Sequence, residues 1–241
     1  MSRQPRQQSV TNVYHVIQRG INRTLIFFED ADRRMFLEML KSQVCDSFEV
    51  YCYCLMDNHI HLIVKSGQLS FYIHRILTSY AIWFNRKYER GGYVFQNRFR
   101  SEVIEEEGYL LRCLRYVLQN PLKAGVCRRV SAYAWSSYRA YYGAEDSFVA
   151  TGFLSLFFEG EEDFRAFVAE EEAGTFMDIG CRLKDCEVRE VLKEMLEGRA
   201  FDVLDRVEQK RILKKLKQDE RIGQRQLARI TGIDLNMIRR L

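Results

Sequence analysis

Along the first 120 residues, apolar positions recur either at every second residue, as in strands, or at every third and fourth residue, as in helices. The period of two predicts strands over residues 11–18, 48–55, 59–65 and 93–104. The helical period predicts helices over residues 30–47, 69–88 and 105–119. Asp30 or Asp32 is suited to be the N-cap of the first helix.

Turn-forming residues separate these elements. Asp57-Asn58 joins the second and third strands into a hairpin, Gly91-Gly92 ends the second helix, and Asn120-Pro121 closes the third. The order β, α, β, β, α, β and then a further helix predicts the α+β class. We expect a ferredoxin-like (βαββαβ) antiparallel sheet with helices on one face.

The composition changes after residue 143, and from residue 161 onward the chain is helical, charged and poor in strand-forming residues. An all-helical C-terminal region is therefore expected to follow the sheet domain. We expect three parts, namely a domain over residues 1–143, an acidic helical connector over 144–220 and a helix-turn-helix segment over 221–241.

Charge follows the same division. Residues 1–143 carry 20 Lys and Arg against 12 Asp and Glu, a surplus of +8, whereas residues 144–220 carry 12 against 20, a deficit of −8. Residues 221–241 carry 5 against 1, a surplus of +4, and the three blocks sum to the net +4 of the chain. Two basic surfaces are suited to a polyanion, although charged faces also serve only to solvate a protein.

No segment of the sequence is typical of a membrane span or a secretion signal. The N-terminus is polar, and the longest apolar run, residues 153–158, is short and is interrupted by Ser155. The seven cysteines are scattered and odd in number, so reduced thiols are expected. These features predict a cytoplasmic protein without membrane association.

Two residue pairs are candidates for chemistry. His59 and His61 are one residue apart in a predicted strand, so both imidazoles project to one face, where they can bind a metal that needs a further donor. Tyr116 precedes Asn120 by four residues, and helical spacing places the phenol and the amide on one side. Spacing alone also fits a histidine pair that only donates hydrogen bonds and a tyrosine packed in an amphipathic helix.

Five stretches, VIQRGINRTLIFF (16–28), CLMDNHIHLIVK (54–65), FQNRFRS (95–101), LRYVLQNPLKAG (114–125) and AWSSYRAYYG (134–143), extend this picture. In order and spacing they resemble the REP-associated tyrosine transposases, in the single-tyrosine branch of the HUH endonucleases. The resemblance implies that His59, His61 and Asn120 bind Mg²⁺ or Mn²⁺ and that Tyr116 is the nucleophile. Asp57 stands where the family usually has proline.

The resemblance also implies a reaction. Tyr116 would cleave single-stranded DNA that carries a repeat hairpin, leaving a 5′-phosphotyrosine that a 3′ hydroxyl can reverse. Arg98 and Arg100 alternate with Phe99, so both arginines are expected to share one strand face and follow phosphates. Arg19 and Arg23 flank the first turn and are further candidates for DNA contact, although each is equally a candidate for a solvated surface residue.

The C-terminal sequence QRQLARITGIDLNMIRRL resembles the helix-turn-helix tails of bacterial DNA-binding proteins. Gly232 would make the turn and Ile238 would be buried. Asn236 would approach base edges, while Arg229, Arg239 and Arg240 would meet phosphates. A helical hairpin that serves only for packing is the alternative.

Two other functions stay open. A host-retained DNA-binding or regulatory protein could use the same fold to recognise repeat hairpins without moving them. Cys52 and Cys54 precede the histidine pair, and a Cys2His2 zinc site would make the protein a metal-stabilised binding module. The sequence leaves the oligomeric state open between a monomer and a homodimer.

Overall fold

The computed structural model of the chain describes residues 6–142, 147–172, 176, 185–196, 198–218, 222 and 224–240, without the side chains of residues 187, 202, 218, 225 and 239. The chain divides into two compact units, Met1–Met177 and Asp178–Leu241. We call them the sheet unit and the helical unit. Within the described ranges no helix is both long and apolar enough to cross a membrane.

A four-stranded sheet forms the centre of the sheet unit, and all neighbouring strands are antiparallel. In the order of the chain, the strands are β1 (Val13–Arg19), β2 (Glu49–Met56), β3 (His59–Lys65) and β4 (Arg100–Val103). In space their order is β2-β3-β1-β4. The predicted α+β class with an antiparallel sheet is confirmed, and β3 has the predicted bounds.

The fourth strand is much shorter than predicted. It begins at Arg100, because positive φ angles at Gly92 (88°) and Asn97 (56°) bend the preceding segment out of an extended course. The segment before β4 is still hydrogen-bonded to the end of β1 and the residues after it. Ile21 N donates to Val94 O at 2.9 Å, and Gln96 N donates to Arg19 O at 2.8 Å.

Two helices, α1 (Asp30–Lys41) and α2 (Leu69–Lys87), pack together on one face of the sheet. The N-cap of α1 is Glu29, which forms a capping box with Asp32, so the expected caps Asp30 and Asp32 lie one and three residues inside the helix. α1 also ends six residues before the prediction, because the chain turns back at Cys45, which pairs with Phe48 ahead of β2.

The third helix, α3 (Glu107–Lys123), covers the opposite face, so the predicted one-sided arrangement holds only for α1 and α2. α3 also continues through Pro121, where the sequence predicted its end. Proline cannot donate to the carbonyl four residues earlier. The Asn120 side-chain amide instead donates to Val117 O at 3.4 Å and to Tyr116 O at 2.9 Å.

The chain after α3 first stays with the sheet unit. It forms α4 (Tyr138–Tyr141), α5 (Gly152–Ser155) and α6 (Glu161–Ala169). Phe164 and Val168 of α6 are buried in one apolar core with α3. The units therefore divide after residue 177, which differs from the expected boundaries at 143 and 220, because this apolar surface is buried against α3.

The helical unit contains α7 (Asp185–Leu196), α8 (Arg206–Gln218), α9 (Gln224–Thr231) and α10 (Leu235–Arg240). Short 3-10 helices cover Ile21–Arg23, Val130–Ala132 and Phe201–Val203. Leu227 of α9 and Ile238 of α10 are fully buried, and Gly232 takes a positive φ of 70° in the turn between them. Two packed helices with a glycine turn therefore occupy the segment expected to hold a helix-turn-helix.

Candidate active site

The pairing register of the sheet brings three histidines to one face. In the antiparallel pair β1 and β3, Ile17 lies opposite His61 and Arg19 lies opposite His59. Because side chains alternate between the faces of a strand, His15, His59 and His61 project to the side that α3 covers. We call this side the histidine face. The shared face expected for His59 and His61 agrees with the register, whereas His15 is an addition that the sequence pattern did not reveal.

His15 and His61 contact each other directly. His15 Nε2 lies 3.1 Å from His61 Nδ1, the rings stack with centroids 5.3 Å apart, and both side chains are fully buried. Burial lowers the pKa of His15 to about 3. Burial, followed by the charges of His59 and His15, lowers the pKa of His61 well below its ordinary value. Both imidazoles are therefore neutral at pH 7, which is the form that binds metals.

The hairpin turn before β3 fixes the other histidine. Asn58 Oδ1 lies 2.7 Å from His59 Nδ1. Two backbone hydrogen bonds hold this turn. Gly20 N donates to Asn58 O at 2.9 Å, and Ile26 N donates to Asp57 O at 2.8 Å. A Cβ atom at Gly20 would lie 2.1 Å from the carbonyl oxygen of Thr24, so this position requires glycine.

Asp57, the departure from the family pattern, has a clear structural role. Its carboxylate forms a hydrogen-bonded ion pair with Arg33 of α1, whose side chain is only 10% exposed. The Arg33 guanidinium also lies near the rings of Phe27 and Trp135. Asp57 therefore ties the hairpin turn to α1. The presence of aspartate here in place of the usual proline removes no candidate ligand.

Tyr116 lies over the histidines. It belongs to α3, and its ring centroid is 5.7 Å from that of His61 and 5.9 Å from that of His15, edge-on in both cases. The side chain is 6% exposed. Leu114 and Val117 are both fully buried on β2, and this burial sets the rotation of α3 that turns Tyr116 towards the histidine face. The structure thus brings together His61 and Tyr116, which stand 55 positions apart in the sequence.

Asn120 is one turn beyond Tyr116, as the spacing predicted, and it is half-buried. Its amide nitrogen is engaged with the backbone of α3, as described above. Among the described contacts, Asn120 makes none with His59 or His61. The structure therefore places this expected ligand on the same helix as Tyr116, one turn further on.

The donors present fit a divalent ion. His61 Nε2 is buried and has no hydrogen-bond partner among the described residues, while the Nδ1 atom of the same ring is held by His15. Imidazole nitrogen is a suitable ligand for Mn²⁺ and related ions. In the described part of the chain, no group of three or more His, Cys, Asp or Glu is arranged to hold a metal. A third protein donor must then be of another kind, such as the amide of Asn120.

Cys52 and Cys54 of β2 are fully buried free thiols. Cys54 lies opposite His61 in the sheet, but burial raises the pKa of Cys54 well above its ordinary value and raises that of Cys52 to about 12. Both thiols are free, and Cys52 Sγ accepts a hydrogen bond from Ser137 Oγ at 3.3 Å. In the described part of the chain, these thiols are not grouped with the histidines in a set of three or more metal ligands. The described residues therefore give no support to the Cys2His2 interpretation.

The candidate arginines lie in different settings. Arg19 Nε donates to Gln96 Oε1 at 3.2 Å, and Arg23 is half-buried in the 3-10 helix after β1. Arg100 pairs with Ile17, so it shares the histidine face. Arg98 precedes β4 and lines a cleft beside α2. The expected common face of Arg98 and Arg100 is therefore wrong, because the strand that would alternate them begins only at Arg100.

In the helical unit, Asn236 and Arg240 are exposed on α10, and the side chain of Arg239 lies outside the described residues. Arg229 is exposed but already paired, because its Nε and Nη2 atoms donate to both carboxylate oxygens of Asp185 at 2.9 and 2.7 Å. Asp234 accepts a hydrogen bond from Asn236 N at 2.8 Å at the start of α10. The predicted start of the second helix near Asn236 is therefore correct.

Part of the acidic segment that follows residue 143 packs against α3, the helix that carries Tyr116. Gln119 Nε2 donates to Val168 O at 2.8 Å and to Glu170 O at 2.6 Å, and Lys123 Nζ donates to Glu172 O at 3.0 Å. Phe176 stacks on Tyr116 with ring centroids 4.6 Å apart. We call residues 168–172 together with Phe176 the strap. Arg115 of α3 also forms ion pairs with the side chains of Glu170 and Glu172. Sequence periodicity did not reveal this position, because the partners of the strap on α3 are distant in the sequence.

An antiparallel sheet with a histidine pair, faced by a helix-borne tyrosine, is the arrangement that the sequence resemblance implied. Residues 9–120 match the model of the family described as "Transposase IS200 like". Over this part of the chain, the resemblance to the transposases that was seen in the sequence is confirmed. No curated protein matches the sequence.

Two solved structures are similar to parts of this chain. A REP-associated tyrosine transposase bound to a REP hairpin is 18% identical, and the match covers 74% of this chain and 99% of that chain with a TM-score of 0.51. A protein of Deinococcus radiodurans R1 described as a transposase is 12% identical, with 48% of this chain and 95% of that chain covered and a TM-score of 0.34. The first likeness shows a common fold for most of the chain.

Proposed function

We propose that the protein is a metal-dependent single-stranded DNA endonuclease and strand transferase that acts through a covalent 5′-phosphotyrosine on Tyr116. The observation that carries the proposal is the placement of the Tyr116 ring edge-on against His61 and His15 on the histidine face. The family assignment of residues 9–120 supports transposase chemistry for this site. The sheet order β2-β3-β1-β4, with α1 and α2 on one face, supports a ferredoxin-like scaffold.

His59, His61 and Asn120 would hold the metal, Mg²⁺ or Mn²⁺. When bound, such an ion supplies Lewis-acid polarisation of a phosphate oxygen. His15 holds the Nδ1 atom of His61, and Asn58 holds the Nδ1 atom of His59, so the chain itself orients both rings. The Asn120 side-chain nitrogen donates hydrogen bonds to the backbone of α3. The side-chain oxygen, Oδ1, is therefore the atom that would bind the metal.

The reaction forms one bond as it breaks another. The Tyr116 hydroxyl oxygen attacks the phosphorus, the bond from phosphorus to the 3′ oxygen breaks, and the 3′ hydroxyl leaves with the proton. The ester energy is retained in the phosphotyrosine, so a second 3′ hydroxyl can reverse the step without a nucleotide cofactor. An unperturbed phenol has a pKa near ~10 and is a weak nucleophile, which is why the site needs a polarising ion.

Single-stranded DNA with a hairpin is the proposed substrate. The similar structure is a transposase bound to a REP hairpin, and this likeness together with the basic charge of residues 1–143 supports the same class of ligand here. Arg100, on the histidine face, is placed to meet the phosphate chain near the site, and Arg19 and Arg23 stand at the end of β1. Whether one or two copies of the chain act together is left open by this proposal.

The C-terminal pair α9 and α10 is proposed as a helix-turn-helix that contacts DNA through Asn236, Arg239 and Arg240. The exposed positions of Asn236 and Arg240 and the glycine turn at Gly232 support this. Arg229 pairs with Asp185 at the protein surface, where its side chain is 64% exposed, so a phosphate would compete with this carboxylate for the guanidinium.

One observation favours the second candidate, a host-retained protein that binds repeat hairpins without moving them. Tyr116 is 6% exposed and lies under Phe176, so a phosphate cannot reach the hydroxyl without movement of the strap. A protein that only binds DNA has no need to uncover this residue.

A cleavage assay tests the proposal. The full chain is incubated with a labelled single-stranded oligonucleotide carrying a repeat hairpin, with Mn²⁺ or Mg²⁺ or with chelator, and run on a denaturing gel. The proposal expects a protein–DNA adduct that needs metal and is lost in Tyr116→Phe. Tyr72→Phe, which removes a hydroxyl on α2 at the opposite face of the sheet, is the matched control and should retain the adduct. Hairpin binding without any adduct would favour the second candidate.

A further inference from the structure

A cleft of about 610 Å³ lies beside α2, on the sheet face opposite the histidines. One wall is α2 and the other is the segment of residues 92–99 that precedes β4. This volume is within the range of about 300–1,000 Å³ that is usual for small-ligand sites. The chemistry on the histidine face makes no use of it.

The walls of the cleft are apolar and aromatic. Leu77 of α2 and Val94 and Phe99 of the opposite wall are buried at its base, where they join the core under the sheet. At the rim, Tyr93 is 82% exposed and Ile82 is 65% exposed. An aromatic ring this exposed beside an apolar cleft is suited to stack on a flat ligand.

The cleft also holds an unsatisfied polar atom. Asn85 Nδ2 donates to Gly92 O at 2.8 Å, which ties the two walls together. The Oδ1 atom of the same side chain is buried and accepts no hydrogen bond from any described residue. A buried acceptor without a donor is costly, so a small shift of the Asn85 side chain that turns Oδ1 into the cleft would offer it to a ligand that brings an N–H group.

Charge at the cleft favours an anion. Arg6 and Arg98 both line it, and none of its described lining residues is acidic. The Arg6 guanidinium lies 3.6 Å from the centre of the Phe99 ring and donates to Phe99 O at 2.9 Å. Burial and the nearby charge of Arg98 lower the pKa of Arg6, as expected for two neighbouring cations without a counter-ion.

We propose that this cleft binds one unstacked nucleobase of single-stranded DNA, with Tyr93 stacked on the base, Asn85 accepting a hydrogen bond from a base N–H, and Arg98 meeting an adjacent phosphate. A flat heterocycle with N–H donors and an anionic linkage matches the three features together. In a duplex the base would be paired and stacked, so the cleft selects single strands.

The position of the cleft connects it to the nucleophile site. Its outer wall is the segment that is hydrogen-bonded to the end of β1 through Gln96 N and Arg19 O. His59 lies opposite Arg19 in the sheet. A strand that passes over this edge therefore runs from the histidine face to the cleft, and the cleft holds a nucleotide away from the cleaved phosphate. This inference rests on the proposed DNA-processing function.

Equilibrium binding tests the cleft apart from catalysis. Fluorescence anisotropy is measured with a fluorescein-labelled oligothymidylate and with a blunt duplex, using Tyr116→Phe as the parent so that no cleavage occurs. Tyr93→Ala should weaken single-strand binding about 5- to 100-fold, the size of one lost base stack. Tyr93→Phe, which keeps the ring, should bind like the parent, and Arg98→Gln should weaken binding and reduce its salt dependence.

Phe71→Ala is the matched control, because Phe71 is 51% exposed on α2 and does not line the cleft. Loss of single-strand binding in Tyr93→Ala with unchanged duplex binding and an unchanged Phe71→Ala supports the proposal. Parental affinity in both Tyr93→Ala and Arg98→Gln, or a parent that binds no single strand, overturns it. Failure of the proposed endonuclease function is distinguishable from failure of the cleft proposal. In that case the wild-type chain would form no DNA adduct, whereas Tyr93→Ala would still lose single-strand affinity.

Discussion

His15 Nε2 lies 3.1 Å from His61 Nδ1 in the buried layer between the sheet and α3. This contact joins β1 to β3 through side chains and occupies one nitrogen of His61, so the other nitrogen, Nε2, is the one left for a ligand. Partners of this kind fix the tautomer and orientation of a metal-binding histidine. His15 is therefore a positioning residue for the candidate metal site.

Removing this partner should weaken metal binding. We expect His15→Ala to lower the affinity for Mn²⁺ about 10- to 100-fold, the usual cost of losing such a partner. Isothermal titration calorimetry of Mn²⁺ into the DNA-free protein measures it, and thermal unfolding without metal shows whether the variant is folded. His15→Gln, which keeps a polar group, should restore part of the affinity.

His74→Ala is the control for this prediction, because His74 is exposed on α2. It should bind Mn²⁺ like the wild type. Equal Mn²⁺ affinity in folded His15→Ala and wild type would show that His15 is only a core residue.

The second prediction concerns Gly20, which is hydrogen-bonded to the hairpin turn before β3. Gly20→Ala places a Cβ atom 2.1 Å from the carbonyl oxygen of Thr24, so the loop must move. We expect a loss of unfolding free energy of about 1–3 kcal/mol, typical of overpacking, in urea denaturation. Gly91→Ala meets nothing within 4 Å and should leave the free energy nearly unchanged. Similar stability of the two variants would contradict the packing described for Gly20.

The hairpin was well predicted because all its signals are local. Alternation over β3 and the turn residues Asp57 and Asn58 define it within nine residues. His15 was missed for the opposite reason, since it lies 46 residues before His61 and only the pairing of β1 with β3 brings the two together. A single histidine in a strand carries no signal until the register of that strand is known.

Asp32 should make the free energy of unfolding depend on pH. Its buried carboxylate pairs with Lys87 Nζ and accepts hydrogen bonds from Phe28 N at 2.7 Å and Tyr88 Oη at 2.8 Å. Burial alone would raise the pKa of Asp32, but these partners together lower it below the model-compound value of 3.8. A folded pKa below the unfolded one gives stability that is present above about pH 4 and is lost as the pH falls through the folded pKa.

Asp32→Asn should therefore cost about 3 kcal/mol at pH 7, because Lys87 loses a buried partner, and should flatten the acid limb of the stability curve. Urea unfolding between about pH 2 and pH 7 tests this in the window set by that pKa. Asp46→Asn changes an exposed aspartate and should leave the curve unchanged. An acid limb of equal slope in Asp32→Asn and wild type would contradict the assignment.

The strap should limit chemical access to Tyr116. Phe176 stacks on the tyrosine at 4.6 Å, and Tyr116 is 6% exposed. We expect Phe176→Ala to speed acetylation of Tyr116 by N-acetylimidazole several-fold, as followed by peptide mass spectrometry. Phe153→Ala, which removes an exposed ring of α5, is the control. An unchanged rate in Phe176→Ala would mean that the strap does not cover the hydroxyl.

Local rules failed where distant or side-chain partners override them. Asn120-Pro121 predicted a helix end, but the Asn120 amide replaces the missing donor, so α3 runs on to Lys123. The strap carries no periodic pattern, and its place on α3 depends on partners that are distant in the sequence. Gln119 and Lys123 donate to its backbone carbonyls, and Arg115 pairs with Glu170 and Glu172. For Tyr116 and the histidine pair, the strand and helix periods alone also fitted packing roles, and the family motifs singled out these residues as candidates.

The most direct test of the central claim is to locate the covalent bond. After reaction with a single-stranded hairpin oligonucleotide and Mn²⁺, nuclease and protease digestion followed by mass spectrometry should find a nucleotide 5′-phosphate on the peptide that contains Tyr116. Phosphotyrosine on another tyrosine, or cleaved DNA with no modified peptide, would contradict the account.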